Sequence, residues 1–445
     1  MSLIINLKND KNKDIDSIYN FWRRNILLNL YIGYAGFYVT RKSFNYVLPA
    51  LVTEFNFDIQ EIGYIGTMFY ITYGLSKFFS GLISDNVNPR YFMGFGLIAT
   101  GIINICCGFA TSLTMFSMLW ILNAFFQGWG FPSCSQLLTT WYSRSERGFW
   151  WSIWNTAHNV GNVTLSILVG YITLHYSWRE GLIFPGLIGV IIGVFLCLRL
   201  RSKPSSMGLP SVGVWRNDKL EIIQEQHEPN LNYADVIKKY VFANKYIWLL
   251  ACSYLLIYIV RIGINDWGNI YLTEEYHYDL VTSNSILALF EIGGFIGSLV
   301  AGRGTDILFR GNRISMTLLF SIGIFFSVCA LWLMPFSSYM LQGITFFSIG
   351  FFVCGPQMLI CLAAAECSHK KSPGASTGFI SLFAYVGAAI SGYPLAFIVE
   401  KYHWSGFFTV MAVISTTIGL VLLPFLNKTV VHKTIEKSSE IDSML

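Results

Sequence analysis

Long apolar stretches recur along this chain, and no other feature constrains its fold as tightly. They lie near positions 25–50, 61–83, 91–110, 114–139, 148–174 and 180–199, and again near 246–271, 282–304, 314–334, 338–365, 374–398 and 404–426. Each is about as long as the 18–20 residues a helix needs to cross a bilayer core. Backbone donors and acceptors inside lipid must be satisfied within their own segment, so each stretch is expected to be a helix. The expectation is an all-α membrane protein of twelve transmembrane helices in two groups of six. Composition agrees: 54% of the 445 residues are hydrophobic and 12% charged, and a soluble chain carries about twice that charge. The segments divide as 1–24, a polar lead; 25–199, a first six-helix bundle; 200–245, a linker; 246–426, a second bundle; and 427–445, a tail.

Several classes drop out. Met1 to Asn20 is polar and the apolar run behind it is too long for a secretory h-region, so the first span should remain in the mature protein. Six of the nine cysteines (Cys106, Cys107, Cys197, Cys252, Cys329 and Cys361) sit in apolar runs without metal-ligand spacing, so neither a disulfide framework nor structural zinc is expected. There is no nucleotide-binding loop and no hydrolase or redox motif. No enzyme activity, cofactor, metal or nucleic-acid partner is expected.

Basic residues orient the chain. Lys8, Lys11, Lys13, Arg23 and Arg24 precede the first span, and Arg90, Arg144, Arg147, Arg303, Arg310, Arg313, Lys370 and Lys371 fall in alternate loops on the same side. The opposite loops hold Arg179 and Lys401 among acids such as Glu54, Asp58, Glu274 and Glu275. The positive-inside rule then places both termini in the cytoplasm, as in an inner-membrane protein.

The two groups read as copies. Tyr38, Arg41, Asn45, Thr53 and Glu54 match Tyr258, Arg261, Asn265, Thr273 and Glu274 at an offset of 220 (261 − 41). Gly81-x-x-x-Asp85 matches Gly302-x-x-x-Asp306 at 221, and Gly148, Gly161, Tyr176 and Trp178 match Gly374, Gly387, Tyr402 and Trp404 at 226. A slowly drifting offset indicates a duplicated six-helix unit, the architecture of the major facilitator fold, in which two pseudo-symmetric halves rock about a midplane site. The glycine of each Gly-x-x-x-Asp permits close helix approach, and the aspartate can pair with a cation or cap a neighbouring helix.

Charges within the spans are functional candidates because each is costly unless paired, hydrated or liganded. Arg41 lies 17 residues beyond Arg24, roughly 25 Å along a helix, and Arg261 lies at a similar depth beyond Lys245. Two guanidiniums facing one cavity would offer forked donors to a phosphate. The alternative is that each pairs with a structural acid such as Asp266. Lys42 and Lys77 in the first group face Asp266 and Glu291 in the second as candidate ion pairs that an entering dianion would break, or as static charge compensation. His158 sits in a polar stripe with Asn155, Asn159 and Asn162, suited to sugar hydroxyls, although a buried histidine can equally be a packing residue. Tyr34, Tyr38, Tyr73, Tyr258 and Tyr385 are candidate lining groups, or interfacial tyrosines.

Specific stretches then become recognisable: Phe37-Tyr-Val-Thr-Arg-Lys-Ser-Phe-Asn45, Asn123-Ala-Phe-Phe-Gln-Gly-Trp-Gly130, Trp154-Asn-Thr-Ala-His-Asn-Val-Gly161, Ile264-Asn-Asp-Trp-Gly-Asn269 and Ala363-Ala-Ala-Glu-Cys-Ser-His-Lys370. Over nearly its whole length the chain resembles the organophosphate:phosphate antiporters of the major facilitator superfamily. The resemblance implies exchange of a sugar phosphate, glucose 6-phosphate first, for inorganic phosphate by alternating access. It implies Arg41 and Arg261 as phosphoryl ligands, His158 at the site, and Lys42, Lys77, Asp266 and Glu291 as a coupled salt-bridge network. One departure is visible: a hexose-phosphate carrier of that family has an acid–base pair in helix eleven, whereas Tyr385-Val-Gly-Ala-Ala-Ile-Ser-Gly392 is uncharged. The expected partners are sugar phosphate, inorganic phosphate and the bilayer, with the chain acting as a monomer. Members that sense rather than transport raise a second reading, a receptor for external hexose phosphate signalling to a membrane histidine kinase.

Overall fold

A computed structural model describes residues 2–55, 59–218, 221–222, 232–278, 280–333, 338–369 and 371–425. Within these ranges some side chains, Lys42 and Asn45 among them, lie outside the described set, as does the 427–445 tail. Among the described residues every regular element is helical. The first group comprises α1 (Ser2–Phe55), α2 (Ile59–Ser84), α3 (Pro89–Gly108), α4 (Leu113–Gln127), α5 (Gly130–Trp141), α6 (Arg147–Asn155), α7 (Ala157–His175) and α8 (Trp178–Arg199). The linker holds the short α9 (Val212–Arg216) and α10 (Tyr233–Ile237). The second group comprises α11 (Lys245–Tyr276), α12 (Leu280–Ile307), α13 (Arg313–Leu333), α14 (Tyr339–Cys367), α15 (Pro373–Ile390) and α16 (Tyr393–Leu422).

Eight described helices are long and apolar enough to cross a membrane, six of them in the second group. The first group is more interrupted than its apolar runs suggest. The run 114–139 divides at Gly128–Trp129 into α4 and α5, and the run 148–174 divides at Thr156 into α6 and α7. In the second group the run 374–398 ends early, α15 stopping at Ile390, while α16 bends at His403, whose φ of 55° is left-handed. Such a bend is uncommon for a residue with a Cβ. These breaks leave hydropathy unchanged, which is why the apolar runs conceal them.

Local signals set the helix ends. Asn88 caps α3 by accepting the Arg90 N–H at 3.1 Å, with Pro89 as its first residue. Glycines set the closest packing: a Cβ on Gly101 would meet the Gly186 carbonyl of α8 at 2.6 Å. The same logic joins α12 to α14, where Gly293 and Gly297 face the Phe347 and Phe351 carbonyls. Small residues let helices pack in lipid, where no hydrophobic drive holds them together. The groups meet where α2 lies against α15 and α6 against α12.

Candidate functional site

Arg41 is held by a polar network inside α1, α3 and α4. Thr40, the residue before it, accepts a hydrogen bond from Gln127 Nε2 at 2.8 Å, and Gln127 Nε2 also donates to Asn123 Oδ1 at 3.2 Å. These bonds turn the Gln127 carbonyl toward Arg41, whose Nε donates to it at 3.3 Å. Arg41 Nη2 donates to the Tyr73 hydroxyl at 2.8 Å, and the guanidinium lies over the Tyr38 and Tyr73 rings at 4.4 and 4.3 Å. The plane of the fork is thus fixed by neutral partners. Nη1 makes no hydrogen bond among the described residues, and no described carboxylate lies within ion-pair distance of Arg41.

A cavity of about 190 Å³ opens beside this guanidinium. Its walls include Arg41, His158 and Asn162 from the first group and Tyr258, Arg261, Asp266 and Glu291 from the second. Arg41 and Arg261 thus line one chamber. No ion pair to Arg261 is seen among the described residues either. Trp120 and Phe69, ring centroids 5.6 Å apart, add an apolar wall. Tyr258 is oriented by Gln357 Nε2, which donates to its hydroxyl at 3.4 Å.

A second, smaller chamber of about 20 Å³ adjoins the first. Tyr38, Tyr73, His158, Tyr258 and Tyr385 line both, forming a mostly aromatic partition, and Tyr34 and Asn155 line the smaller one only. Tyr73 and Tyr385 meet edge to face at 4.8 Å. Lys77 lies in the smaller chamber, its ammonium 4.1 Å from the Phe131 ring centroid and 5.4 Å from that of Tyr73. The sequence pointed to an ion pair for Lys77 with Asp266 or Glu291. In this conformation the partition stands between them and aromatic faces hold the ammonium instead. Asp266 accepts from Asn265 Nδ2 at 3.2 Å, and the Lys42 side chain lies outside the described set. Asn159 lines neither chamber. The Thr156 N–H reaches the carbonyls of both Ser152 and Ile153, a tightened turn that shifts the register of the expected asparagine stripe. His158 Nδ1 is engaged by the Asn155 carbonyl at the end of α6.

At the end of the bundle that carries the basic loops, the groups are joined at two matching stations. Asp85 Oδ1 and Oδ2 accept the N–H groups of Gly374 and Ala375 at 2.8 Å each, so it caps α15. Asp306 Oδ2 accepts the Phe149 N–H at 2.7 Å, capping α6 in the same way. Gly81 packs on Gly374 and Gly302 on Gly148, each too closely for a Cβ. Burial pushes the Asp85 carboxyl up to about 7, against the opposing pull of the Ala375 and Gly374 amides and the Tyr233 hydroxyl. At the second station Arg313 binds Asp306 and chelates Glu366 through Nε at 3.1 Å and Nη2 at 3.0 Å. Arg147 reaches the same Glu366 through Nη1 at 3.4 Å. Glu366 is a buried junction between groups. Its partners lie 219 and 53 positions away, beyond any local pattern. Gln127 was also missed, although a glutamine within an apolar run is itself a signal of interhelical hydrogen bonding.

Residues 30–392 match the family model of the Major Facilitator Superfamily. The chain belongs to the Major Facilitator Superfamily. It is 56% identical over 414 residues to the membrane sensor protein UhpC of Escherichia coli (strain K12), covering 93% of this chain and 94% of that one. It is 42% identical over 419 residues to a probable hexose phosphate transport protein of Chlamydia trachomatis, covering 92% of each. The solved structure of the E. coli fucose:proton symporter FucP aligns with a TM-score of 0.67 at 12% identity, covering 89% of this chain and 97% of that one, a likeness of fold. The relatives are membrane transporters or sensors, not enzymes. With its spans and these bacterial relatives, this is a multi-pass membrane protein of the superfamily.

Proposed function

We propose that this protein takes up a hexose phosphate, glucose 6-phosphate first, in exchange for inorganic phosphate by alternating access, with Arg41 and Arg261 binding the phosphoryl group. The carrying observation is that the two guanidiniums, from α1 and α11, line one chamber and lack ion-pair partners among the described residues. A phosphate dianion supplies the missing charge and matches the guanidinium fork. His158, Tyr38 and Tyr258 contact the same ligand, and the polar groups of Asn162, Asp266 and Glu291 reach sugar hydroxyls. Tyr34, Asn155 and Tyr385 complete the path on the side of the smaller chamber. In this reading the two six-helix groups are the rocking halves, the basic loops and both termini face the cytoplasm, and the chain acts as a monomer. The aspartate stations then close the cytoplasmic side. A dianion bridging the two arginines pulls the halves together more strongly than either half holds it alone, and this differential affinity drives the switch.

A second reading is favoured by one observation: the relatives at 56% and 54% identity are both named membrane sensors, whereas the named hexose phosphate transport proteins stand at 42–43%. There the same site binds external hexose phosphate, and a cytoplasmic-face rearrangement is read by a membrane histidine kinase. Exchange in proteoliposomes separates the two. Vesicles loaded with labelled phosphate should release it when glucose 6-phosphate is added outside. Binding without release supports the receptor and sinks the antiporter.

A further inference from the structure

The described parts of the linker between the two groups are docked, and they touch both aspartate stations. Its first part lies on the first group. The Tyr19 ring of α1 stacks on Trp215 with centroids 4.2 Å apart and planes 3° from parallel. Ser143 Oγ donates to Asp218 Oδ2 at 2.7 Å, and Arg216 chelates Glu146 through Nε at 3.2 Å and Nη2 at 3.0 Å. Arg23 binds the same Glu146 at 2.6 Å. These contacts seat Glu221, 2% exposed, against the Arg147 guanidinium, where its Oε1 also accepts the Arg144 N–H at 3.1 Å. Arg147 is the residue whose other nitrogen reaches Glu366 of the second group. One guanidinium therefore joins a linker carboxylate to the inter-group junction.

The second part of the linker leads directly into α11, and it ties back across the boundary. The Tyr233 hydroxyl donates to the Leu82 carbonyl at 2.7 Å and to Asp85 Oδ2 at 3.3 Å. Asp85 is the carboxylate that caps α15. Glu221 serves one station and Tyr233 the other.

We propose that the linker is a strap across the cytoplasmic side, with Glu221 and Tyr233 holding the two aspartate stations shut and thereby setting the balance between the closed and open states. The energetic argument is differential. In the closed state Arg147 is 5% exposed, and removing the linker carboxylate leaves this buried cation with only Glu366, which Arg313 shares. With the cytoplasmic side open, Arg147 meets water and the loss is small. Asp85 likewise loses a hydroxyl donor only where it is buried. Neutralising either strap contact therefore favours opening, with no change in the arginine chamber.

This inference rests on the alternating-access reading, so the test carries a control for that reading. Hydrogen exchange is followed by mass spectrometry on the full chain in lipid nanodiscs, for wild type, Glu221→Gln, Tyr233→Phe and Asp85→Asn. Both strap substitutions are near-isosteric and compatible with folding. The expected result is faster exchange of the first turns of α6 and α15 in all three variants, about tenfold for Glu221→Gln, with glucose 6-phosphate binding retained. If Asp85→Asn opens the stations and neither strap variant does, the strap is overturned and alternating access stands. If Asp85→Asn opens nothing, the gate reading falls and takes the strap with it.

Discussion

The proposed role of Arg41 shows what one side chain needs in order to bind an anion inside a membrane. A long cation on a flexible stem would lose rotamer entropy at every binding event. Here the loss is met in advance, because Tyr73 and Gln127 hold Nη2 and Nε while Nη1 is left unbonded. The prediction at this scale is that Tyr73→Phe weakens glucose 6-phosphate binding by roughly tenfold or more, a hydrogen bond to a charged group being worth about 1.5–3 kcal/mol. Titration calorimetry on purified protein checks it. An unchanged affinity would mean that the ligand reorganises Arg41 without help. The arginine pair was legible in the sequence because a charge in an apolar run is conspicuous and because the 220-residue offset doubles it. Thr40 and Asn123 were not, since small polar neutral residues in such runs are common and only their geometry distinguishes them, and Gln127 carried a signal but not the identity of its partners.

At the scale of elements, the aspartate stations are a helix-capping device used twice. The N–H groups at the start of a helix are orphans, and a carboxylate satisfies them while complementing the dipole. Each Gly-x-x-x-Asp brings its aspartate to a helix of the other group because its glycine lets the backbones touch. A methyl group at Gly302 would strike the Gly148 carbonyl and the Ser152 side chain. Gly302→Ala should therefore weaken the closed state by about 1–3 kcal/mol. Peptide-resolved alkylation of Cys367, a partly buried thiol that ends α14 at this junction, should speed up by at least several-fold. No change in its rate would show that the close approach is incidental. The motif was readable because capping needs only four residues of spacing. The helix breaks at Gly128, Thr156 and His403, and the roles of Glu221 and Glu366, were hidden because they depend on contacts distant in sequence.

For the whole molecule, the balance between closed and open cytoplasmic sides should depend on pH through Asp85. Closed, its carboxyl is pushed up to about 7 by burial. Open, it meets water and returns toward the ordinary value near about 4. Between those values the closed state binds the extra proton, so acidification from about pH 8 to pH 6 favours closing and alkalinisation favours opening. Tyr233, the titratable group facing Asp85, is itself raised by burial and stays neutral across this range. Hydrogen exchange at the start of α15 should slow toward pH 6 after correction for intrinsic rates, and Asp85→Asn should abolish the dependence while leaving exchange fast, because an amide keeps one acceptor oxygen for the two N–H groups and a protonated carboxyl keeps two. Under the proposed exchange, the gate on one side and the arginine chamber on the other form one machine, in which occupancy at Arg41 and Arg261 is traded against the Asp85 and Asp306 caps.

The central claim, that Arg41 and Arg261 together bind one phosphoryl group, is tested most directly by measuring glucose 6-phosphate and inorganic phosphate affinity for wild type, Arg41→Lys and Arg261→Lys. An ammonium keeps the charge and loses the fork. The account predicts that each single substitution weakens both ligands by about a hundredfold or more, because truncating one partner of a buried charge pair costs about 2–5 kcal/mol. Near-wild-type affinity in either lysine variant would contradict a shared site.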